Sequence, residues 1–346
     1  MKVGLFDHIE NGERPTAQLF DERLAFIQAA DAAGFYCLHL AEHHQTPLNM
    51  VPVPGVFMGA VARLTKRIRI GPLVYLLPLY SPLHMIDEIC MLDHLSHGRA
   101  EIGVGRGVSP FELKYNKVDP EKSRDIFIDA YRCISAGLKS DQLTYKGPYY
   151  EYDNVPIALR PLQQPFPPFW YGSSGAEGST WAGEEGLHFV TLGPNAFARK
   201  NIDTFKEAFA KRGNKAAQPK PEFSGGVVLG VQRHIFVDET DDKARAWAKP
   251  AMDSHLANLN WIRNRHGVSS QRMNSVRGAS FEECVADGTV IVGSPKTVLA
   301  EIERHHAEIG FNYLLTYLFL GTMTAETAMR SLKLFVSDVM PAVERM

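Results

Sequence analysis

Along this chain, short apolar runs alternate with longer stretches in which apolar residues recur at every third or fourth position. The first pattern predicts strands covered on both faces, the second amphipathic helices. Residues 3–7 predict a strand and 18–34 a helix, with Phe20, Leu24 and Ile27 on one face and Gly34 at its end. A strand at 37–42, a helix at Pro54–Leu64, a long β run at 67–78, a helix at 82–96 and a strand at 99–105 follow. Helix 123–139 carries Phe127, Ala130, Ile134 and Leu138 as its buried stripe. A Pro- and Tyr-rich connection at 143–168 reads as an excursion rather than a linker between domains. The alternation then resumes through strand Phe169–Gly172, helix 178–186, strand 188–192, helix 196–212 and strand 227–238. Helix 298–310, strand 313–318 and helix 325–339 close the chain. Eight strand–helix units without a composition break predict one α/β domain over 1–346, a single TIM-type (β/α)8 barrel rather than an open sheet. The stretch 241–289 is too long for a simple crossover and is rich in Arg, Ser and Gly, which marks it as a lid-like insertion over the barrel's C-terminal face.

Composition removes several classes of function. With 346 residues and 45% apolar content, the chain can bury a large core. Its net charge of −2 comes from 37 basic and 39 acidic residues, with no long basic run, so nucleic acid is not an expected partner. The N-terminal Met-Lys-Val-Gly-Leu-Phe-Asp-His lacks the pattern of a signal peptide, and no stretch is long and apolar enough to span a bilayer. Cys37, Cys90, Cys133 and Cys284 form no Cys-x-x-Cys pair, as suits core thiols in a reducing compartment. A cytoplasmic protein is expected.

In a barrel the C-terminal ends of the strands converge on one face, where such folds build their sites. The strand at 37–42 delivers Glu42-His43-His44 there. His43 reads as a general base or hydrogen-bond donor working near neutral pH, or equally as part of a polar strand end that pins a loop. A metal site is the weaker reading, because no other strand end supplies further ligands. Gly103-Val-Gly105-Arg106-Gly107 resembles a dinucleotide fingerprint only superficially, since position 108 is Val and Pro110 follows. It reads better as a strand end where glycine admits a flat ligand and Arg106 grips an anion, or as a tight turn with a solvated Arg. Gly172-Ser173-Ser174-Gly175-Ala-Glu-Gly178 leads into a helix, and four small residues in a row favour a phosphate cradle over a plain helix cap. The apolar face of helix 82–96 is too wide for one barrel contact, which suggests a subunit interface or a cover from the chain's own loops.

Taken in order, these residues resemble the bacterial luciferase-like flavin-dependent monooxygenase family. The likeness runs through Ala-Glu42-His43-His44, Leu77-Pro78 to Ser96-His97-Gly98-Arg99, Ile102-Gly-Val-Gly105-Arg106-Gly107, Gly172-Ser173-Ser174-Gly175 before Trp181, Val292-Gly-Ser-Pro295, and the closing run from Ser331 to Pro341. It implies a barrel with an insertion lid, reduced dissociable FMN supplied by a separate flavin reductase, and O2 used to oxygenate a small organic substrate such as an aldehyde or ketone. The wide apolar face of helix 82–96 adds the expectation of a homodimer. His43 matches the family's catalytic histidine and Arg106 its flavin-phosphate arginine. Ser173, Ser174, Gly175 and Gly178 fall in the phosphate loop, and Glu42 and Gly105 beside the flavin. Leu73–Val74 matches a bond that is a non-prolyl cis peptide against the flavin ring in relatives, so a bulge or cis bond is expected within 73–75. Gly105 stands where the light-emitting subunit has a reactive cysteine, which argues against luminescence but not against oxygenation. Gly175 and Gly178 stand where relatives often carry hydroxyls. A deazaflavin-dependent hydride-transfer enzyme on the same barrel, or a flavin-binding protein without catalysis, are the alternatives.

Overall fold

The strands come in two kinds, buried and half-exposed. Lys2–Asp7 (β1), Cys37–Leu40 (β2), Arg69–Pro72 (β3), Tyr75–Leu76 (β4) and Ile102–Gly105 (β5) are almost wholly buried. The hairpin Gln142–Lys146 (β6) and Glu151–Pro156 (β7) alternates buried or half-buried residues with exposed ones. Phe169–Gly172 (β8), His188–Thr191 (β9), Leu229–Val237 (β10), Val290–Gly293 (β11) and Tyr313–Tyr317 (β12) return to the buried type. Burial on both faces is what near-continuous apolar runs demand of a parallel sheet. This computed structural model describes every residue except Glu13, Asn214 and 269–278.

The large sheet runs β3-β2-β1-β12-β10-β9-β8-β5-β4, all in parallel pairs. β3 pairs with β2, β4 pairs with β5, and a bridge between Ile70 and Ala100 brings the two ends of the sheet together. β3 and β4 thus share one position, giving an eight-position barrel as the alternation predicts. The expected single run at 67–78 is instead two short strands separated by the cis peptide Leu73–Val74, followed by a 3-10 turn at Leu77–Leu79. β11 extends the far end of β10, with His234 flanked by Val290 on one side and Tyr317 on the other. Neither β11 nor the β6–β7 hairpin is visible in the apolar alternation, because one sits beside the long insertion and the other is half-polar.

Helices alternate with the strands. The first, Thr16–Ala33 (α1), ends on Gly34 in the left-handed region (φ 91), whose N–H caps Ala30 and Asp31 carbonyls. Its inward face is rotated from the expected one. Leu19, Arg23, Phe26 and Ile27 are buried, while Phe20 and Leu24 are only partly covered. Ile27 is buried as expected, but the buried set also takes in the charged Arg23, which an apolar period does not count. Arg23 instead pairs with Asp7 at 2.9 Å and lies over the Phe319 ring at 3.2 Å. Helices Pro54–Leu64 (α2), Pro82–Leu95 (α3), Pro110–Tyr115 (α4), Ser123–Gly137 (α5), Ala176–Glu185 (α6) and Asn195–Lys211 (α7) follow. The expected stripe of α5 holds, since Phe127, Ala130, Ile134 and Leu138 are all buried.

The stretch 241–289 is not an irregular loop. It begins with the 25-residue helix Asp241–Arg265 (α8), roughly 37 Å long at 1.5 Å per residue. Thr240 caps it through the Lys243 N–H, Asp241 and Asp242 occupy its first turn, and Arg263 and Arg265 its last, an arrangement that suits the helix dipole. His255 and Asn258 meet Glu10 after β1, and His266 at its end stacks on Phe111 of α4 at 4.2 Å. α8 therefore crosses the C-terminal face of the barrel from the β10 side toward α4. The remainder of the expected lid falls partly on 269–278, outside the described residues. Phe281–Ala286 (α9), Pro295–Ile309 (α10) and Ala325–Leu334 (α11) complete the outer layer. Among the described residues no helix is long and apolar enough to cross a membrane.

Candidate active site

His43 lies just beyond β2, and its environment is set by α4. Its Nδ1 is 3.2 Å from Glu112 Oε1, while Glu112 Oε2 accepts the His44 backbone N–H at 2.8 Å. One carboxylate thus fixes both the ring and the backbone beside it. Burial disfavours charge on His43, but Glu112, by its charge and hydrogen bond, outweighs burial and holds the His43 pKa above the ordinary imidazole value. Burial likewise opposes the Glu112 charge, and His43 overcomes it, keeping that carboxyl below its usual range. The two adjacent histidines part company. His44 Nε2 turns to Glu42 Oε1 at 2.7 Å.

Glu42 is almost fully buried, and its second oxygen accepts the Leu76 N–H at 3.0 Å. Burial raises its pKa against the opposing pull of His44 and the Leu76 N–H. Both oxygens are therefore engaged within the protein, so Glu42 ties the end of β2 to β4.

Leu73 and Val74 are half-exposed residues in an otherwise buried strand and form an apolar wall at the barrel mouth. β5 is bare opposite them. A Cβ on Gly105 would stand 2.4 Å from Val74 Cγ2, and one on Gly103 3.0 Å from Leu73 Cα. Here glycine is required by close approach, and Val74 fills the space in which a side chain at 105 would lie. The end of β8 adjoins the same wall, since a Cβ on Gly172 would lie 3.8 Å from Leu73 Cγ.

The loop after β8 turns on Ser173, whose Oγ accepts the Gly175 N–H at 3.2 Å. α6 starts two residues earlier than the apolar pattern suggests, at Ala176, so Gly178 lies in its first turn with Ser173 Oγ where a Cβ would be. Gly175 has open space around it, and α6 has no side-chain cap on its N–H groups. Ser174 is half-exposed on the same loop. Arg106 is half-buried on the adjacent strand end and has no ion pair among the described residues. Burial raises the Tyr171 phenol, opposed by the charges of Arg124 and then Arg106. Arg124 is tied to Glu177 at 3.0 Å.

The structure thus brings His43, Glu42, Leu73, Val74, Gly105, Arg106, Ser173, Ser174, Gly175 and Gly178 to the C-terminal ends of β2, β3/β4, β5 and β8. Sequence reasoning missed Glu112, although Ser109-Pro-Phe-Glu112 is a capping-box spacing with Pro at the first helical position. It also missed Arg124 and the residues around Glu10, for which the sequence carries no local signal.

A parallel eight-position barrel with a histidine–carboxylate pair, an apolar wall and an anion-ready loop at one mouth defines an α/β-barrel enzyme scaffold. The chain belongs to the luciferase-like monooxygenase family, whose model matches residues 1–313. It is 23% identical to the oxygenase component of a flavin-dependent trigonelline monooxygenase from Acinetobacter baylyi, over 99% of this chain and 95% of that protein. The oxygenating constituent of 3,6-diketocamphane monooxygenase from Pseudomonas putida, solved with FMN, has the same fold at a TM-score of 0.81 and 21% identity, covering 99% and 98% of the two chains. An F420-dependent secondary alcohol dehydrogenase shares it at 0.72 and 19% identity, covering 99% and 98%.

Proposed function

We propose that this chain is the oxygenating component of a two-component system that uses reduced FMN, delivered by a separate flavin reductase, and O2 to oxygenate a small organic substrate. The observation that carries this reading is the convergence of three features on one mouth: the His43–Glu112 pair, the Leu73–Val74 wall facing a glycine strand end, and Arg106 at the end of β5, next to the strand that leads into the uncapped start of α6. An apolar wall suits a flat ring, and an uncapped helix start with a guanidinium suits a phosphate. Reduced flavin, when bound, supplies the two electrons that activate O2. The protein's part is to bind, orient and handle protons. Arg106, Ser173, Ser174, Gly175 and Gly178 would hold the phosphate, and Leu73, Val74 and Gly105 the ring. His43, kept protonatable by Glu112, would donate a proton to or accept one from the reacting groups at Nε2. Glu42 would position His44 and β4 beside the cofactor. Helix α8 would keep bulk water from the mouth.

Two further parts belong to the same reading. Met91 and Leu95 on α3 and Val56 and Leu64 on α2 are exposed apolar residues, as a homodimer interface requires. A cytoplasmic setting supplies both the reductase and reduced thiols. The test is oxygen consumption with FMN, NADH, a flavin reductase and a panel of aldehydes and ketones. Wild type should couple O2 use to substrate oxygenation. His43→Ala should bind flavin normally and lose about 10²–10⁴ in oxygenation rate, with the consumed O2 leaving as hydrogen peroxide. Wild-type coupling in His43→Ala would remove His43 from the mechanism.

A further inference from the structure

On the side of the mouth away from Arg106 lies a second cluster of ionisable groups. β1 ends at Asp7, and the next three residues turn sharply. Ile9 adopts φ 54, a left-handed conformation that a β-branched residue rarely takes, and its N–H is held by Asp7 Oδ1 at 2.7 Å. Such outliers persist where the surroundings enforce them, and they gather at functional sites. This turn sends His8 toward the mouth and buries Glu10. The Glu10 carboxylate accepts four hydrogen bonds: from His255 Nδ1 at 2.9 Å, Asn258 Nδ2 at 2.9 Å, Tyr317 OH at 2.8 Å and the Gly321 N–H at 3.2 Å. Burial alone would raise its pKa, and the charge of His255, with the hydrogen bonds from His255, Asn258 and Tyr317, outweighs burial.

The hydrogen bond to Glu10 fixes the His255 ring, which lies with its centroid 5.7 Å from that of His8. His8 in turn stacks on His43 at 5.6 Å with 25° between the rings. A carboxylate thus orients one imidazole, that imidazole stands against a second, and the second lies near-parallel to the histidine already paired with Glu112. His8 is half-exposed, whereas Glu10, His255 and Tyr317 are buried behind it. A fastening for α8 alone would need no ring between Glu10 and the mouth.

We propose that His8 is a second proton-handling side chain of this site, coupled to His43 and facing the organic substrate, with Glu10 and His255 as its positioning residues. The substrate side rests on the flavin reading above, because it assigns the Arg106 side of the mouth to the cofactor. It gives that reading a substrate class, a molecule whose reacting end carries a hydrogen-bonding oxygen such as a carbonyl or hydroxyl. Two imidazoles set side by side can donate a proton to that oxygen and take one from it without help from bulk water. The charged and titratable groups that face the pair are Glu10 from the β1 turn, Glu42 and His44 after β2, and Glu112 from α4. Among the described residues, His255 and Arg263 from α8, His234 from β10 and Tyr317 from β12 also face it.

The test is a pH titration of the histidine ring signals of the full chain by NMR, with 13C-labelled histidine and assignment by His8→Gln. Two like charges at this separation disfavour each other by about tenfold in proton affinity. His43→Gln should therefore raise the His8 midpoint by about one pH unit, and His43→Asn does the same should the Gln protein fold poorly. His255→Gln should shift the His8 midpoint and tautomer while hydrogen exchange of 241–265 stays near wild type. A His8 midpoint that ignores position 43 would overturn the coupling. A His8 signal unchanged by His255→Gln, with faster exchange of 241–265, would leave Glu10 and His255 as a fastening for α8 and overturn their positioning role. Failure of the wild-type protein to bind FMN would overturn the flavin reading, and the substrate-side assignment with it, while the titration still decides the coupling.

Discussion

Because burial alone would keep His43 neutral, its charge depends on Glu112, and that dependence is visible in stability as well as in rate. A histidine whose folded pKa lies above its ordinary 6.5 contributes stability that is fully present below that value and is lost as pH rises through the folded one. A carboxyl held below its ordinary 4.5 contributes stability above that value, lost as pH falls through the folded one. Both contributions are in full force between 4.5 and 6.5. Glu112→Gln should therefore lose most stability against wild type in that window and less on either side, as read from denaturant unfolding across pH. A pH-independent difference would mean that Glu112 acts by packing alone. Gly105 makes a second prediction at this scale. Gly105→Ala sets a methyl 2.4 Å from stiff Val74, and overpacking of this kind costs about 1–3 kcal/mol. Val74→Ala in the same chain should recover most of that loss in chemical denaturation. An equal loss in the double variant would show that the clash lies elsewhere.

Helix α8 and the short α4 meet through one contact set. His266 stacks on Phe111, and its Nε2 lies 2.6 Å from the Tyr115 hydroxyl. Since α4 carries Glu112, this clasp links the helix over the mouth to the partner of His43. His266→Ala should cost about 1–2 kcal/mol from the lost hydrogen bond and ring contact. Its signature should be faster hydrogen exchange confined to α4 and the last turns of α8, and uniform acceleration through the barrel would contradict it. Elements of this kind also mark where sequence reading stops. Barrel strands such as β2, β5 and β8 were legible because they are buried on both faces and read as unbroken apolar runs. α8 was not, because the first half of its buried stripe is alanine, Pro250 sits inside it, and the polar His255 breaks the stripe for a reason only Glu10 supplies. The α1 stripe was misread for the same kind of reason, a buried charge at Arg23 that only its Asp7 partner explains.

For the whole molecule, the eight-position barrel follows from alternation alone, and the mouth from the rule that strand C-termini converge. Glu42, His43, Gly105, Arg106 and the Gly172–Gly178 loop could be named because each closes a strand. Glu112, Arg124 and His255 could not, because their roles arise from helices that return to the mouth from distant sequence, and Glu10 could not, because its partners lie on α8 and around β12. The proposal that this mouth holds FMN rests on its asymmetry, with cation and helix start on one side and imidazoles on the other. The direct measurement is the binding of FMN and riboflavin, with F420 as a third arm, to wild type and Arg106→Ala, by fluorescence quenching at fixed salt. A charge-assisted phosphate contact contributes about 1.5–3 kcal/mol. Wild type should bind FMN at least about tenfold more tightly than riboflavin, and Arg106→Ala should abolish that margin while leaving riboflavin unchanged. Equal binding of FMN and riboflavin by wild type, or tight binding of F420 alone, would contradict the account.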